Sequence, residues 1–192
     1  MSTDAHREVR SPGARGYAAI GLHRPKNVLN MGEVMRAAGC YGVSLVAVAG
    51  QRFKQARTDT QQAWKHLPTI EVPDLLDAAP IGAEPVAVEF IDTATPLPRF
   101  IHPERAFYLL GPEDGSLPAD LVRRCRHVVF VPTRHCMNLA ATANVLLYDR
   151  MVKREAIASG NAKAHNEAAT AQITQQRHGA FFEALPAPGG EG

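Results

Sequence analysis

Short apolar runs alternate with stretches of helical periodicity along most of this chain, and this alternation constrains the fold more than any other feature. Residues 44–49 form a run of small and β-branched side chains, which is typical of a strand buried on both faces. Residues 27–41 instead place their apolar side chains at helical spacing. Strands that alternate with helices predict an α/β fold with a mainly parallel sheet flanked by helices.

The same patterns predict the other elements. Strands are expected at residues 17–22, 44–49, 69–72, 86–91, 106–110 and 128–131. Helices are expected at residues 27–41, 74–79, 118–126 and 138–158, with some helix near residues 60–64 and a loop at 93–98.

Both ends of the chain differ from this pattern. Residues 1–15 are polar, and residues 159–192 are rich in Ala, Gln, Asn, His and Gly, with few side chains able to build a core. We therefore expect one domain over residues 16–158, a loose N-terminal tail, and a C-terminal tail that is disordered or loosely packed.

The composition disfavours several classes of protein. The 192 residues are 45% hydrophobic and 21% charged, as in ordinary soluble proteins. No apolar run approaches the roughly 20 residues that span a bilayer, and residues 1–15 lack a secretory signal, so we expect a cytoplasmic protein without membrane contact. Cys40, Cys125 and Cys136 form no CxxC pair, so no disulfide framework or metal site is expected. Cys40 and Cys125 are expected to be small core residues.

Three strand-to-helix turns collect the residues best suited to a ligand. They are residues 27–36, 111–118 and 131–141, and each follows a predicted strand. Ligands of parallel sheets bind at the carboxyl ends of the strands, where these turns lie. The chain contains no GxGxxG or GxxxxGK[ST] motif, so neither an ordinary dinucleotide fold nor a P-loop is supported.

Structural interpretations of these turns also exist. Asn27 is a good N-cap residue, and Arg36 would then lie at the surface. Arg36 nevertheless sits in an otherwise apolar stretch, where a buried arginine needs a phosphate or carboxylate partner. His135 beside Cys136 suggests a thiol nucleophile, but adjacent side chains usually point apart and no carboxylate stands at an evident spacing.

Together the turns resemble the three motifs of the SpoU-type RNA 2′-O-ribose methyltransferases, within the SPOUT superfamily. The first family motif, N-x-x-N-x-G-x-x-x-R, is matched by Asn27, Asn30, Gly32 and Arg36. The second, G-x-E-x-x-G-L, is matched by residues 111–117, with Gly115 and Ser116 exchanged relative to the usual order.

The third family motif has a serine before Leu or Met, then Asn and Leu or Val, and opens a small-residue helix ending near a Tyr-Glu pair. Residues 136–139 match it with Cys136 in place of the serine, and Tyr148-Asp149 stands in place of the closing pair. The resemblance covers residues 17–151.

The resemblance implies methyl transfer from S-adenosylmethionine to a ribose 2′-hydroxyl of RNA, without a metal. It also implies a C-terminal trefoil knot and an obligate homodimer whose two subunits both contribute to the RNA site. Arg36 would meet the RNA phosphate and help draw the proton from the hydroxyl, while Asn30 and Asn138 would orient the reacting groups. The implied cofactor residues are Glu89, Leu110, Gly111, Pro112, Glu113, Val131, Pro132, Cys136, Met137, Asn138 and Leu139.

The compact core is most similar to the small family members that methylate the wobble ribose of tRNA, so tRNA is favoured over rRNA as the substrate. Two alternatives remain. One is a catalytically silent family member that binds RNA or cofactor. The other is an unrelated α/β nucleotide-binding enzyme, which the absence of both glycine-rich motifs disfavours.

Overall fold

A computed structural model describes residues 16–51 and 67–160 of the chain. The predicted N-terminal tail, the helix expected near residues 60–64, and residues 161–192 of the C-terminal tail lie outside these described residues. Within them, the strands form a parallel sheet in the order β3-β2-β1-β6-β4-β7-β5. The strands are β1 (Tyr17–His23), β2 (Leu45–Ala49), β3 (Thr69–Glu71), β4 (Glu84–Val88), β5 (Thr95–Pro96), β6 (Arg105–Leu110) and β7 (His127–Phe130).

Helices cover both faces of this sheet, which confirms the predicted α/β class. The helices are α1 (Val28–Cys40), α2 (Ala119–Arg124) and α3 (Leu139–Ala158), and single 3₁₀ turns occur at Leu75–Ala78 and Leu97–Arg99. Successive residues of a strand point to opposite faces, so each central strand feeds two cores. Helices α1 and α3 pack over one face, and α2 packs with the first 3₁₀ turn over the other.

Three local predictions were wrong. The strand expected to continue to Ile91 ends at Val88, and the side chain of the next residue, Glu89, accepts the amide of Leu117 in the neighbouring loop. The loop expected at residues 93–98 contains β5, whose Pro96 is tolerated because β5 is an edge strand. Cys40 is exposed at the end of α1, whereas Cys125 is partly buried and burial raises the pKa of its thiol to about 11.

A buried polar network joins the second half of α3 to the sheet. It consists of His102, Tyr108, Asp149, Arg150 and Lys153. His102 Nδ1 lies 2.6 Å from the Tyr108 hydroxyl, and its Nε2 lies 2.8 Å from Asp149 Oδ2. Lys153 Nζ lies 2.7 Å from the same Asp149 oxygen. A neutral imidazole satisfies both contacts, since Nε2–H donates to the carboxylate and Nδ1 accepts the tyrosine proton.

Acidification is expected to destabilise the fold through His102. Burial lowers the pKa of His102, with the charges of Lys153 and Arg150 acting in the same direction, and the Asp149 carboxylate only partly opposes this. In the unfolded chain His102 takes up a proton near pH 6.5, whereas in the folded chain it does so only at lower pH. Between these two values the unfolded state holds more protons, so the free energy of unfolding falls as the pH falls.

Urea denaturation at pH 7.5 and at pH 5.5 measures this dependence. A His102→Gln variant is expected to lose that part of the pH dependence, and a variant of the exposed His135, His135→Gln, is expected to keep it. Equal pH dependence in wild type and His102→Gln would show that His102 is not the group responsible.

Candidate active site

The three strand-to-helix turns lie at the carboxyl ends of β1, β6 and β7, as their positions in the sequence predicted. Strands β1 and β6 are neighbours, and β4 separates β6 from β7. The segment after β7 therefore has to run back past the ends of β4 and β6 before α3 can pack against α1. This path places the third turn in contact with the first.

Side-chain hydrogen bonds connect all three turns through Asn30, Glu113 and Asn138, which we call the motif cluster. The Asn30 amide nitrogen donates to Glu113 Oε1 over 2.8 Å. The Asn138 amide nitrogen donates to Asn30 Oδ1 over 2.9 Å. Each turn contributes one residue to the motif cluster, and the resemblance to the family implied a role in the active site for all three residues.

Glu113 also binds the backbone of the first turn. Its carboxylate accepts the amide of Lys26 over 2.9 Å and the amide of Asn27 over 3.2 Å. Partial burial opposes ionisation of Glu113, but the hydrogen bonds from Asn30, Lys26 and Asn27 outweigh it and lower its pKa. The carboxylate is thus held in its charged form, and it joins the turn after β6 to the turn after β1.

Two asparagines start the helices that leave this site. Asn27 Oδ1 accepts the amide of Leu29 over 2.8 Å, which confirms the predicted N-cap of α1. Asn138 Oδ1 accepts the amides of Ala140 and Ala141 over 2.7 and 3.3 Å. Because one end of the Asn138 side chain caps α3 and the other bonds Asn30, its orientation is fixed by both helices.

Glu89 shapes the turn after β6. Its carboxylate accepts the amide of Leu117 over 2.8 Å and the amide of Phe90 over 3.1 Å. The turn closes tightly at Gly111, where a Cβ atom would lie only 3.1 Å from the Leu117 nitrogen and 3.3 Å from the Ser116 carbonyl carbon. A side chain at position 111 would therefore require the backbone at residues 116–117 to shift by a few tenths of an ångström.

An exposed aromatic side chain at this edge was missed by the sequence analysis. Phe90 follows Glu89 and is 66% exposed, with its ring edge-on to Phe130 at a centroid distance of 5.2 Å. Phe90 lies within the strand predicted at residues 86–91, but β4 ends two residues before it, at Val88.

Arg36 lies on the exposed side of α1, as expected if Asn27 caps the helix, and not on the buried side where it would need an anionic partner. Its neighbours Met35 and Ala37 are both buried, but successive helical residues point about 100° apart around the axis. The structure places Cys136 and His135 at the surface of the third turn, whereas Leu139 is buried. The motif cluster contains neither Cys136 nor Arg36.

In the described part of the chain, no three His, Cys, Asp or Glu side chains gather closely enough to hold a metal ion. No helix among residues 16–51 and 67–160 combines the length and the apolar character needed to cross a bilayer.

The family model of the SpoU rRNA Methylase family matches residues 18–148, a span that contains all three turns. The chain belongs to this family. SpoU methyltransferases use S-adenosylmethionine, and one of the similar structures is an AdoMet-bound rRNA methyltransferase from Sinorhizobium meliloti. No curated protein sequence gives a significant match.

Solved structures of other methyltransferases share the fold of this SpoU chain. An rRNA methyltransferase from Sinorhizobium meliloti is 18% identical with a TM-score of 0.63, and the match covers 73% of this chain and 57% of that one. The SpoU methyltransferase AviRb from Streptomyces viridochromogenes is 19% identical with a TM-score of 0.64, over 84% and 67%. The TrmH/SpoU tRNA modifying enzyme of A. aeolicus is 16% identical with a TM-score of 0.65, over 91% and 93%. The present chain thus spans just over half the length of the Sinorhizobium meliloti enzyme.

Proposed function

We propose that this SpoU protein transfers a methyl group from S-adenosylmethionine to a ribose 2′-hydroxyl of RNA, with tRNA as the substrate. The observation that carries the proposal is the motif cluster. Asn30, Glu113 and Asn138 come from three separate family motifs, and they bond one another at the edge of the sheet where ligands of parallel folds bind.

The residues at this edge fit the cofactor. The tight turn at Gly111 keeps side chains away from the backbone, which leaves main-chain groups accessible to a ligand. Phe90 offers an exposed aromatic surface suited to a nucleobase such as adenine. The residues that would hold the cofactor are Glu89, Leu110, Gly111, Pro112, Glu113, Val131, Pro132, Cys136, Met137, Asn138 and Leu139. When bound, S-adenosylmethionine supplies an electrophilic methyl group on a sulfonium.

The protein side chains supply positioning and charge. Arg36 is exposed on α1, where its guanidinium is available to meet an RNA phosphate and, as a positive charge beside the 2′-hydroxyl, to favour loss of the hydroxyl proton to water as the oxygen takes the methyl group. A guanidinium stays protonated, so Arg36 acts as a hydrogen-bond donor and a charge, not as a free base. Asn30 and Asn138 hold the turns in register through their mutual hydrogen bond. Most of the acceleration then comes from orientation of the reactants.

We also propose that the protein is a homodimer and that its C-terminal segment forms a trefoil knot. Apolar side chains remain exposed on α1 and α3, namely Leu29, Val145, Tyr148 and Met151, which favours a covered helical face. After β7 the chain passes the ends of β4 and β6 so that α3 can pack against α1, and this path favours the knot. A solution mass of twice 20.8 kDa at micromolar concentration is expected, and a monomeric mass would contradict the dimer.

One assay tests the activity. Purified protein, methyl-labelled S-adenosylmethionine and either bulk tRNA or rRNA lacking the modification are combined, and the RNA is digested to nucleosides. Label on a 2′-O-methylated nucleoside from tRNA is the expected result. Label on a base would overturn the ribose assignment, and label on rRNA alone would overturn the tRNA assignment. Cofactor binding by calorimetry without labelled RNA would favour the catalytically silent alternative.

Replacing Glu113 with glutamine is expected to weaken the site without changing its size. The carboxylate accepts hydrogen bonds at both oxygens, whereas a glutamine amide turns an N–H toward at least one of the same donors. We expect a loss of about 1–3 kcal/mol in the free energy of unfolding and weaker cofactor binding. Calorimetry and urea denaturation measure both effects, with the exposed Glu33→Gln as the control. A Glu113→Gln protein with unchanged cofactor affinity would count against the role of the motif cluster.

A further inference from the structure

The side chain of Phe90 projects from the same edge of the sheet as the proposed active site. Phe90 is 66% exposed, whereas phenylalanine is among the residues most often buried in protein cores. It stands two residues after the end of β4, and β4 lies between β6 and β7 in the sheet. Because neighbouring strands are about 4.8 Å apart, the exposed ring follows a strand that adjoins both strands whose turns carry Glu113 and Asn138.

Contacts on both sides of the chain hold this exposed ring in a defined position. The Glu89 amide donates to the carbonyl of Val129 over 3.0 Å, next to the pairing of β4 with β7. The Glu89 carboxylate accepts the amides of Phe90 and Leu117. The ring of Phe90 meets the ring of Phe130, the last residue of β7, at an interplanar angle of 80°. This T-shaped contact braces the Phe90 ring and leaves much of its surface open.

An open aromatic ring in a fixed orientation is suited to stacking on a nucleobase. Stacking uses the π-face that every base has, so it tolerates any base. A single exposed apolar residue needs no explanation by itself. Phe90 differs because its exposure is combined with a braced ring and with a place at the edge where the motif cluster lies.

The cofactor and the RNA would each bring a nucleobase to this edge, and the exposure of Phe90 favours the RNA. Small-molecule sites are concave and enclose most of the ligand. Phe90 instead projects into solvent and contacts β7, whereas the adjacent Glu89 carboxylate reaches the turn after β6. A ring in this position suits a ligand that extends over the surface, as an RNA strand does.

We propose that Phe90 stacks on a base of the RNA substrate and so positions the strand with its ribose at the motif cluster. This inference rests on the proposed function, because it names a residue for the same RNA site. Phe90 has no group that takes part in methyl transfer, so it is a positioning residue. Since stacking does not read base identity, Phe90 contributes affinity and register to the bound strand.

The test compares Phe90→Leu with Phe90→Tyr in cofactor-free protein, using bulk tRNA and bulk rRNA that lack the modification. Leucine stays apolar but removes the π-face, so the affinity for RNA is expected to fall about tenfold, within the range for loss of one stacked base. No charge is removed, so the slope of log affinity against log salt is expected to keep its wild-type value. Tyrosine keeps the ring and is expected to bind RNA as tightly as phenylalanine.

Ile81→Ala is the matched control, because it removes an exposed apolar side chain at the opposite edge of the sheet. Ile81 is 95% exposed and precedes β4. This variant is expected to keep the wild-type affinity for RNA. The thermal unfolding midpoint and the affinity for S-adenosylmethionine are expected to stay at the wild-type values in all three variants, since both positions are on the surface.

Several results would overturn the proposal. Phe90→Leu could bind both RNAs with the wild-type affinity, or Phe90→Tyr could lose as much affinity as Phe90→Leu. Ile81→Ala could weaken binding equally, which would show a general effect of surface apolar area. A loss of affinity for S-adenosylmethionine in Phe90→Leu, with RNA binding unchanged, would assign the ring to the adenine of the cofactor instead.

These measurements remain distinct from the test of the proposed function, because RNA binding by cofactor-free protein needs no methyl transfer. If the wild-type protein binds RNA through Phe90 but labels only bases or no RNA, the proposed function fails and the role of Phe90 in RNA binding stands. If it labels the ribose of tRNA while Phe90→Leu has an unchanged KM for tRNA, the role of Phe90 alone is overturned.

Discussion

Replacing Arg36 with alanine is expected to reduce methyl transfer to RNA by a factor of about 10² to 10⁴, the range typical of a group that assists proton transfer. The affinity for S-adenosylmethionine is expected to remain at the wild-type value. Arg36 is exposed on α1, whereas the neighbouring core positions are filled by Val34, Met35, Ala37 and Ala38. Alanine at this position therefore removes the guanidinium and leaves the packing of the helix intact.

Single-turnover rates with labelled cofactor, together with calorimetry of cofactor binding, separate the two effects. Arg36→Lys keeps the charge but loses the planar donor pair, so an intermediate rate is expected. Arg123→Ala serves as the control for loss of one surface charge. Turnover of Arg36→Ala at the wild-type rate would remove Arg36 from the mechanism, and loss of cofactor binding would show that it belongs to the cofactor site instead.

The elements of the central sheet were predictable because their strands are buried on both faces. The run at residues 106–110 has no charged side chain, and β6 has the same end point at Leu110. Strand β5 was not predictable, because two residues that include a proline give no periodic signal. The order of the strands in the sheet could not be predicted either, because the residue pattern of a strand shows which of its faces are buried but not which strands lie beside it.

In the candidate site, too, some features could be predicted from the sequence and others could not. Motif spacing predicted three turns that each join the carboxyl end of a strand to a helix, and the structure has all three. It did not predict that Glu113 would bond the side chain of Asn30 and the amide of Lys26, since these contacts depend on how the chain returns across the sheet. The backbone conformation of Arg24, with a φ of 47°, had no sequence signal either, because positive φ is expected at glycine and asparagine.

Charged residues in α3 were the hardest to place from sequence. Arg150 and Lys153 lie in a helix with many polar residues, and such side chains are exposed in most proteins. Here they are 8% and 5% exposed. The carbonyl groups that bind them come from distant segments, so no local pattern could have revealed their burial.

Replacing Arg150 with methionine is expected to lower the free energy of unfolding by about 3–5 kcal/mol, as for removal of one partner from a buried charged network. The guanidinium donates to the carbonyls of Tyr17, Pro103 and Glu104 over 2.9, 2.6 and 2.8 Å, and also to the Tyr108 hydroxyl over 3.2 Å. Methionine fills similar space but donates to none of these oxygens, which then remain desolvated without a partner.

Urea denaturation of the purified variant measures this loss through the shift of the transition midpoint. Arg123→Met, at an exposed position of α2, is expected to change the free energy of unfolding by no more than about 0.5 kcal/mol. Arg150→Lys distinguishes charge from geometry, because a single ammonium cannot reproduce the fork that reaches carbonyls on both sides of the guanidinium. If Arg150→Lys were as stable as wild type, charge alone would suffice. If Arg150→Met lost less than about 1 kcal/mol, water would have to replace the arginine at these carbonyls, and the network would not be what anchors α3 to the sheet.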